Sequence, residues 1–525
     1  MNPIRHILIV GGGTAGWLTA AFLARTLGTA AGGVRVTLVE SSDIGIIGVG
    51  EGTFPSIRGT LHAVGLDEAR FIRECDATFK QGVKFVDWSN VGERYFHPFN
   101  APSQRPGAPE LLPYWVIGEA GGRAFADAVS MQQRVADASR APKRASDGDW
   151  LGPMNYAFHF DAGKFATLLA AHAQSLGVER VIATVERVQL RADGHVEAVV
   201  TRERGVLAAD LFIDCSGFRA LLIGDALGAA RKPLNDVLFA DRALAVQVPY
   251  PAADTPIPSY TISTAHEAGW TWDIGLHRRR GVGYVYSSRH TNDEQAERVL
   301  RDHVGPAADG LTPRLLKLDT GYRETQWIGN CVAVGLSAGF LEPLESSGIG
   351  LIETAAYLIG YLFPADGDFE PAARQFNQHM RARFERIVDF LKLHYALTRR
   401  DDSAFWRDNA DPATWTPTLR DRLAQWRSRP PHRLDFIADL EMYPPSSWQY
   451  VLYGMGYPTD LSHARAAWPR AAEARQEFAM IAQVAQRALA DLPDHRALVD
   501  ALCDRADARP AREALDAGTT LRSVA

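Results

Sequence analysis

Apolar residues run through Ile7–Val10 and stop at Gly11-Gly12-Gly13-Thr14-Ala15-Gly16, after which a helical period carries to about Leu27. A second apolar run, Val34–Val39, ends in Glu40. Short unbroken apolar runs closed by glycine predict strands covered on both faces, and so a parallel sheet with helices over it. The pattern returns at Leu211–Ile213, which leads through Asp214 to Gly217, and at Val332–Val334, which leads to Gly335. Phe165–Leu176 has the spacing of an amphipathic helix. Val181–Val200 reads as a hairpin turning at Ala192-Asp193-Gly194. Ile349–Phe363 reads as a buried helix, with Ser346 or Ser347 able to cap it. The stretch 232–325 is rich in β-branched and aromatic residues and predicts an antiparallel sheet, while from Ala355 onward the pattern is mainly helical. Residues 100–121, rich in Pro and Gly, read as a surface excursion, and Ala124–Ala136 as a helix. The last forty or so residues read as surface helix and frayed tail.

The organisation expected is an α/β (α+β) fold in two parts. Residues 1–360 form a Rossmann-like cofactor module with the sheet at about 232–325 inserted in it. Residues 361–525 form a mainly helical region packed over the substrate side. Gly11, Gly13 and Gly16 between two strands, with Thr14 and Ala15 opening a helix and Glu40 ending the second strand, are a dinucleotide fingerprint. The glycines allow a tight turn, the helix N-terminus takes a pyrophosphate, and the acid takes a ribose hydroxyl. A second glycine-rich loop, Gly45 to Pro55, contains Gly50 and Glu51 and suits an extended cofactor. Three strand ends carrying glycine, at 11, 217 and 335, favour FAD over NAD.

Composition narrows the partners. The 525 residues carry a formal net charge of −6, so no broad basic surface is expected for nucleic acid. The run Arg278-Arg279-Arg280 is too short to change this. Four scattered cysteines without CxxC spacing predict neither a disulfide framework nor a metal site, and fit reduced thiols in a cytoplasm. Ile349–Phe363 is too short to span a membrane and contains Glu353. Twelve tryptophans suit an aromatic-lined pocket or a large core.

Residues 337–350, Ser-Ala-Gly-Phe-Leu-Glu-Pro-Leu-Glu-Ser-Ser-Gly-Ile-Gly, bring the candidate chemistry together. They read as a polar turn between a strand and a buried helix. Free N–H groups at that helix mouth suit an anion or an electron-rich ring edge. Glu345 there is either a partner of the helix dipole or a catalytic group.

With these residues in view, the chain resembles the flavin-dependent halogenases of the tryptophan halogenase family over roughly residues 4–457. The blocks that carry the resemblance are Gly11–Trp17, Gly48–Thr53, Thr78–Phe85, Gly269–Ile274, Pro343–Ser346, and His394-Tyr395 through Asp402 to Phe405-Trp406. One departure is visible: Gly275 stands where the family's Trp-x-Trp-x-Ile is usually closed by Pro, which predicts a looser segment.

The resemblance implies a GR2-type flavoprotein monooxygenase fold. It implies that reduced FAD, oxygen and halide yield hypohalous acid, which travels to a separate pocket and halogenates an electron-rich ring, by bromination, chlorination or both. On this reading Gly11, Gly13, Thr14, Ala15, Gly16, Glu40, Gly50, Glu51, Gly335, Gly348 and Ile349 hold FAD. Halide sits near Ser347 and Gly348. Trp270, Trp272 and Ile274 form the barrier between flavin and substrate. Lys80 guides the oxidant or forms a haloamine, Glu345 takes the ring proton, and His97, Phe99 and Trp448 hold the substrate. Lys84 is the structural counterpart of Lys80.

No metal is implied. The expected partners are a separate NAD(P)H-dependent flavin reductase and a small aromatic, with neither nucleic acid nor membrane, in a monomer or homodimer. The Tyr and Glu cluster with which tryptophan-specific members hold the amino-acid group is not recognisable in Glu441–Trp448, so a simpler indole or another electron-rich aromatic is favoured over free tryptophan. An aromatic hydroxylase of the related monooxygenase class, or a non-catalytic flavin-binding protein, are the alternatives.

Overall fold

The computed structural model describes residues 3–30, 32–43 and 50–505. The first sheet has six strands, in the order Trp327–Ile328, Cys331–Ala333, Leu211–Asp214, His6–Val10, Arg35–Glu40, Glu179–Ile182. All but the first are parallel to their neighbours. Ile7 and Ile9 pack into the main core, while Leu8 and Val10 face a second core beneath the hairpin Val185–Leu190 and Val196–Thr201. Both faces are covered, which is why the apolar run is unbroken rather than alternating.

The three glycine-ended strands lie side by side. Gly11, Gly217 and Gly335 have φ of +116°, +75° and +74°, a backbone region that side chains strain. A Cβ on Gly11 would also stand 2.2 Å from the Cys215 carbonyl oxygen, so the turn closes only with glycine.

The second sheet has seven strands, ordered Arg314–Lys317, Arg242–Pro249, Arg279–Tyr286, Gly269–Gly275, Thr261–His266, Gly82–Val86, Arg94–Pro98. Five come from the expected 232–325 stretch. Two are recruited from residues 82–98, and Gly82–Val86 runs parallel to Thr261–His266. Pairing across that sequence distance leaves no local trace. A small third sheet places Gly50–Gly52 and Thr78–Lys80 on either side of Ala157–Asp161. The helices Ser347–Tyr361 and Phe369–Ala396 follow the central turn.

Three expectations are corrected. Within 100–121, Leu111–Val116 is a helix that buries Leu111, Leu112 and Tyr114, because its apolar positions outweigh the flanking Pro and Gly. Ala124–Ala136 splits into Phe125–Val129 and Gln132–Asp137, broken by extended backbone at Ser130. The helix His495–Arg505 is anchored rather than a surface helix: Leu498 and Val499 are buried, and the Phe79 backbone N–H donates to His495 Nε2 at 3.1 Å. Residues 44–49, part of the second glycine loop, and 506–525 fall outside the described residues.

Seven of the tryptophans are among the largest side chains with under 2% exposure, so most of that count serves the core. The arginine run is neutralised by acids: Arg279 pairs with Asp161, Arg280 with Asp273, and Arg278 approaches Asp76. Among the described residues no helix is long and apolar enough to cross a membrane.

Candidate active site

Ser346 has a φ of +59° and precedes the helix Ser347–Tyr361. No side chain caps that helix. The expected serine cap is absent because Ser346 Oγ accepts a hydrogen bond from Lys80 Nζ at 3.0 Å instead. The first N–H groups of the helix are therefore free of side-chain acceptors. A Cβ on Gly348 would meet nothing within 4 Å, while Ser347 and Ile349 beside it are buried.

The same holds at the fingerprint. The helix Thr14–Leu27 has no side-chain cap, and a Cβ on Gly13 or Gly217 would meet nothing within 4 Å. Ala15 packs against Gly335, where a Cβ would come within 2.7 Å of its methyl. A Cβ on Gly16 would strike the Gly11 carbonyl oxygen. Glu40 Oε1 accepts from Arg180 Nε at 2.6 Å, and Trp17 Nε1 points at Oε2 from 3.4 Å. Burial raises the Glu51 carboxyl to about 7. Two helix mouths without side-chain caps, each with a glycine whose Cβ position is open, fit the phosphates and ring of FAD.

Trp270, Trp272 and Ile274 alternate onto one face of the strand Gly269–Gly275. The tryptophan rings meet edge to face at 6.4 Å. Trp272 lies over Gly283, where a Cβ would fall 2.1 Å from its ring, and Ile274 lies against Gly50 and Gly281. Gly275 does not loosen this wall. It is buried and paired with Arg280, its carbonyl accepts from Thr78 Oγ1 at 2.5 Å, and Ile257 occupies the space a Cβ would need.

Lys80 is 1% exposed at the end of the strand Thr78–Lys80. Besides Ser346, its Nζ faces the half-buried Phe99 ring at 5.5 Å and lies over Gly52, where a Cβ would sit 3.1 Å away. Burial pulls the ammonium down to about 8, against the opposing pull of the Glu345 charge. Lys84, one strand on, is different. It bonds to Asp137 and approaches Tyr260 Oη at 3.4 Å; burial lowers its pKa, but the bonds and charges of Asp137 and Tyr260 together outweigh this and raise it.

Glu345 is 3% exposed, and both imidazoles near it bond the same oxygen: His97 Nδ1 at 2.8 Å and His394 Nε2 at 3.0 Å from Oε1. Burial favours the neutral acid, but the two imidazoles outweigh it and hold the carboxyl down at about 2. His394 Nδ1 lies 2.9 Å from the Phe390 carbonyl oxygen, which can only accept. Its Nε2 contact then needs a proton between nitrogen and carboxyl. No direct ion pair of 4 Å or less joins Lys80 to Glu345, yet the two are close enough for the carboxylate to oppose deprotonation of the amine.

Trp448 is fully buried in the helix Pro445–Gly454. Phe390 stands between it and His97, with ring centroids 5.1 Å and 6.0 Å away, and stacks on Tyr443 at 4.1 Å. Tyr443 Oη donates to the Glu345 carbonyl oxygen at 3.0 Å. No local pattern assigns His394, Phe390 or Tyr443 a role at this site, and Ser346 reads from the sequence only as a helix cap. Phe390 and His394 are spaced i, i+4 on one helix face, the one local signal that could have paired them.

Relatives agree with this architecture. The sequence profile of the tryptophan halogenase family matches residues 6–470. Over 477 residues the chain is 37% identical to tryptophan 6-halogenase SttH of Streptomyces toxytricini, covering 87% of this chain and 90% of that protein. The crystal structure of a tryptophan halogenase from Shewanella frigidimarina superposes with a TM-score of 0.91 at 40% identity, covering 96% of this chain and 98% of that one. BrvH, a flavin-dependent halogenase from Brevundimonas sp. BAL3, superposes with a TM-score of 0.85 at 37% identity, covering 95% and 99%. With its fold and nearly its whole length accounted for in this way, the chain belongs to the tryptophan halogenase family and is a flavin-dependent halogenase.

Proposed function

We propose that this halogenase takes FADH2 from a separate NAD(P)H-dependent flavin reductase and halogenates a small electron-rich aromatic, an indole or indole derivative, at Lys80 and Glu345. Bound reduced FAD, with oxygen and halide, supplies hypohalous acid. The residues that would hold FAD are Gly11, Gly13, Thr14, Ala15, Gly16, Glu40, Gly50, Glu51, Gly335, Gly348 and Ile349. Halide would lie at Ser347 and Gly348. The observation that carries the proposal is the convergence of Lys80, from a distant strand, onto Ser346 beside Glu345, with both charged groups shut away from water.

The chemistry follows from their states. With a pKa near 8, Lys80 is partly neutral at working pH. Its ammonium donates a hydrogen bond to hypohalous acid; its free amine forms a haloamine with loss of water. The ring attacks the halogen, and hydroxide or the Lys80 nitrogen leaves with the bonding pair; the proton given up by the ring makes it water or free amine. Glu345, already ionised, stabilises the cationic ring and takes its proton. Both imidazoles bond Oε1, which leaves Oε2 for that proton. The sum is aromatic C–H plus hypohalous acid giving aromatic C–halogen plus water. Trp270, Trp272 and Ile274 keep the ring from the flavin, and His97, Phe99 and Trp448 frame the substrate side.

Two features support a simpler indole over free tryptophan. Glu441 is taken by Arg386 at 3.0 Å, with Arg422 at 3.8 Å, and the Tyr443 hydroxyl is spent on the Glu345 carbonyl. Neither is free for an α-ammonium or carboxylate. Mass spectrometry of an aromatic panel with bromide or chloride, oxygen, reductase and NADH tests the proposal. A halogenated indole supports it; hydroxylated product, or flavin turnover without product, overturns it.

A further inference from the structure

Three residues before Glu345 lies a second buried carboxylate. Glu342 is 0% exposed, and neither of its oxygens has a partner at full hydrogen-bonding distance. Among the other buried groups in that condition are the Tyr395 hydroxyl and the indole N–H of Trp270. They are neighbours. The Tyr395 hydroxyl is close enough to both the Glu342 carboxyl and the Trp270 indole for each to shift its acidity. Trp88 packs on both rings, 5.1 Å from Tyr395 and 6.1 Å from Trp270. Buried polar groups are rarely left alone, and only one assignment serves all three. Indole N–H can only donate, so it gives to Tyr395 Oη. Tyr395 then gives its own proton to Glu342.

We propose that Glu342 and Tyr395 are positioning residues that fix the barrier indole of Trp270 through this directed chain, and so keep hypohalous acid on course to Lys80. The groups around Glu342 fit that role. Burial raises its carboxyl to about 7. The facing Lys392 is bonded to Asn409 at 2.9 Å, lies over the Phe239 ring at 4.6 Å, and is lowered to about 7, chiefly by burial. Neither needs a full charge for the chain to form; Glu342 needs only an accepting oxygen. Glu342 begins the turn that ends in Glu345, so the barrier and the proton acceptor share one backbone segment.

The inference rests on the halogenase chemistry proposed above. The test measures halogenated indole formed per oxygen consumed, with escaped oxidant trapped by a soluble 1,3-diketone, at matched FAD occupancy. Tyr395→Phe and Glu342→Ala are expected to lower the ratio about fivefold, the worth of one lost buried hydrogen bond, and to raise trapped oxidant. Glu342→Gln, a neutral acceptor, is expected to stay within about twofold of the parent. Tyr395→Phe keeps the ring and separates the effect from loss of packing. An unchanged ratio in Tyr395→Phe, or Glu342→Gln falling as far as Glu342→Ala, overturns the inference. Absence of both halogenated product and trapped oxidant in the parent enzyme would instead overturn the proposed function.

Discussion

The two sides of the proposed tryptophan wall are built from different materials. On the cofactor side the chain offers backbone: glycines at three adjacent strand ends and two helix mouths without side-chain caps. On the substrate side it offers side chains: Lys80, Glu345, His97 and His394, all nearly or fully buried among aromatic rings. Phosphates and a flavin edge are held by N–H groups, and N–H groups come from local geometry. Directing an electrophile onto a ring needs an amine and a carboxylate in defined protonation states, and those come from burial and distant partners. The contrast also appears within one short segment. Lys80 is stripped of water and of any carboxylate partner at bonding distance, while Lys84 keeps Asp137. The bare lysine is the one suited to chemistry.

If the sides are separate in function, changes on each should fail differently. The largest effect is expected from Lys80→Met: aromatic halogenation falls about 10³-fold, while flavin oxidation and halide consumption continue. Product quantified against oxygen uptake checks this. Glu345→Gln should lower product about 10²-fold, since the ring proton loses its acceptor and two imidazoles lose a shared anion. On the other side, Gly335→Val forces a side chain onto Ala15 at a positive φ. It should weaken FAD binding about tenfold, read by fluorescence titration, without changing product per bound flavin.

This division explains what could be read from the sequence. The cofactor side was legible because glycine is the only residue those turns accept, so Gly11, Gly217 and Gly335 mark strand ends in the chain itself. The alternation that puts Trp270 and Trp272 on one face was legible for the same reason, being a local period. That Lys80 meets Ser346, or that His394 shares an oxygen with His97, depends on sheet pairings and a long helix crossing the molecule. No local period encodes those meetings. Lys80 stands out only through family resemblance, while Glu345 is legible as a carboxylate at a helix mouth whose catalytic role the resemblance supplies. The serine cap was misread because Ser346 spends its hydroxyl on Lys80.

Smaller effects sharpen the contrast. If the neutral amine of Lys80 carries halogen, product formation should rise about tenfold per pH unit below 8 and level off above it. The sign for stability is the same. A lysine whose folded pKa is lowered binds fewer protons folded than unfolded, so its burial is unfavourable below about 8 and the penalty is relieved as pH rises toward 10.5. Glu345, held near 2, should add no titration between pH 5 and 9; its contribution to stability is present above 4.5 and lost as pH falls toward 2. Lys84→Met, a control on the neighbouring strand, should change product by less than about twofold in the same assay.

The central claim is that hypohalous acid is made on one side of the wall and used on the other. It is tested most directly with the Lys80→Ala enzyme, reduced flavin, oxygen, bromide and indole, with a soluble 1,3-diketone present to trap free hypobromous acid. Bromoindole is expected to disappear while brominated trap accumulates at the parent rate of oxygen uptake. Bromoindole formed at the parent rate, or loss of both products while flavin still turns over, would contradict it.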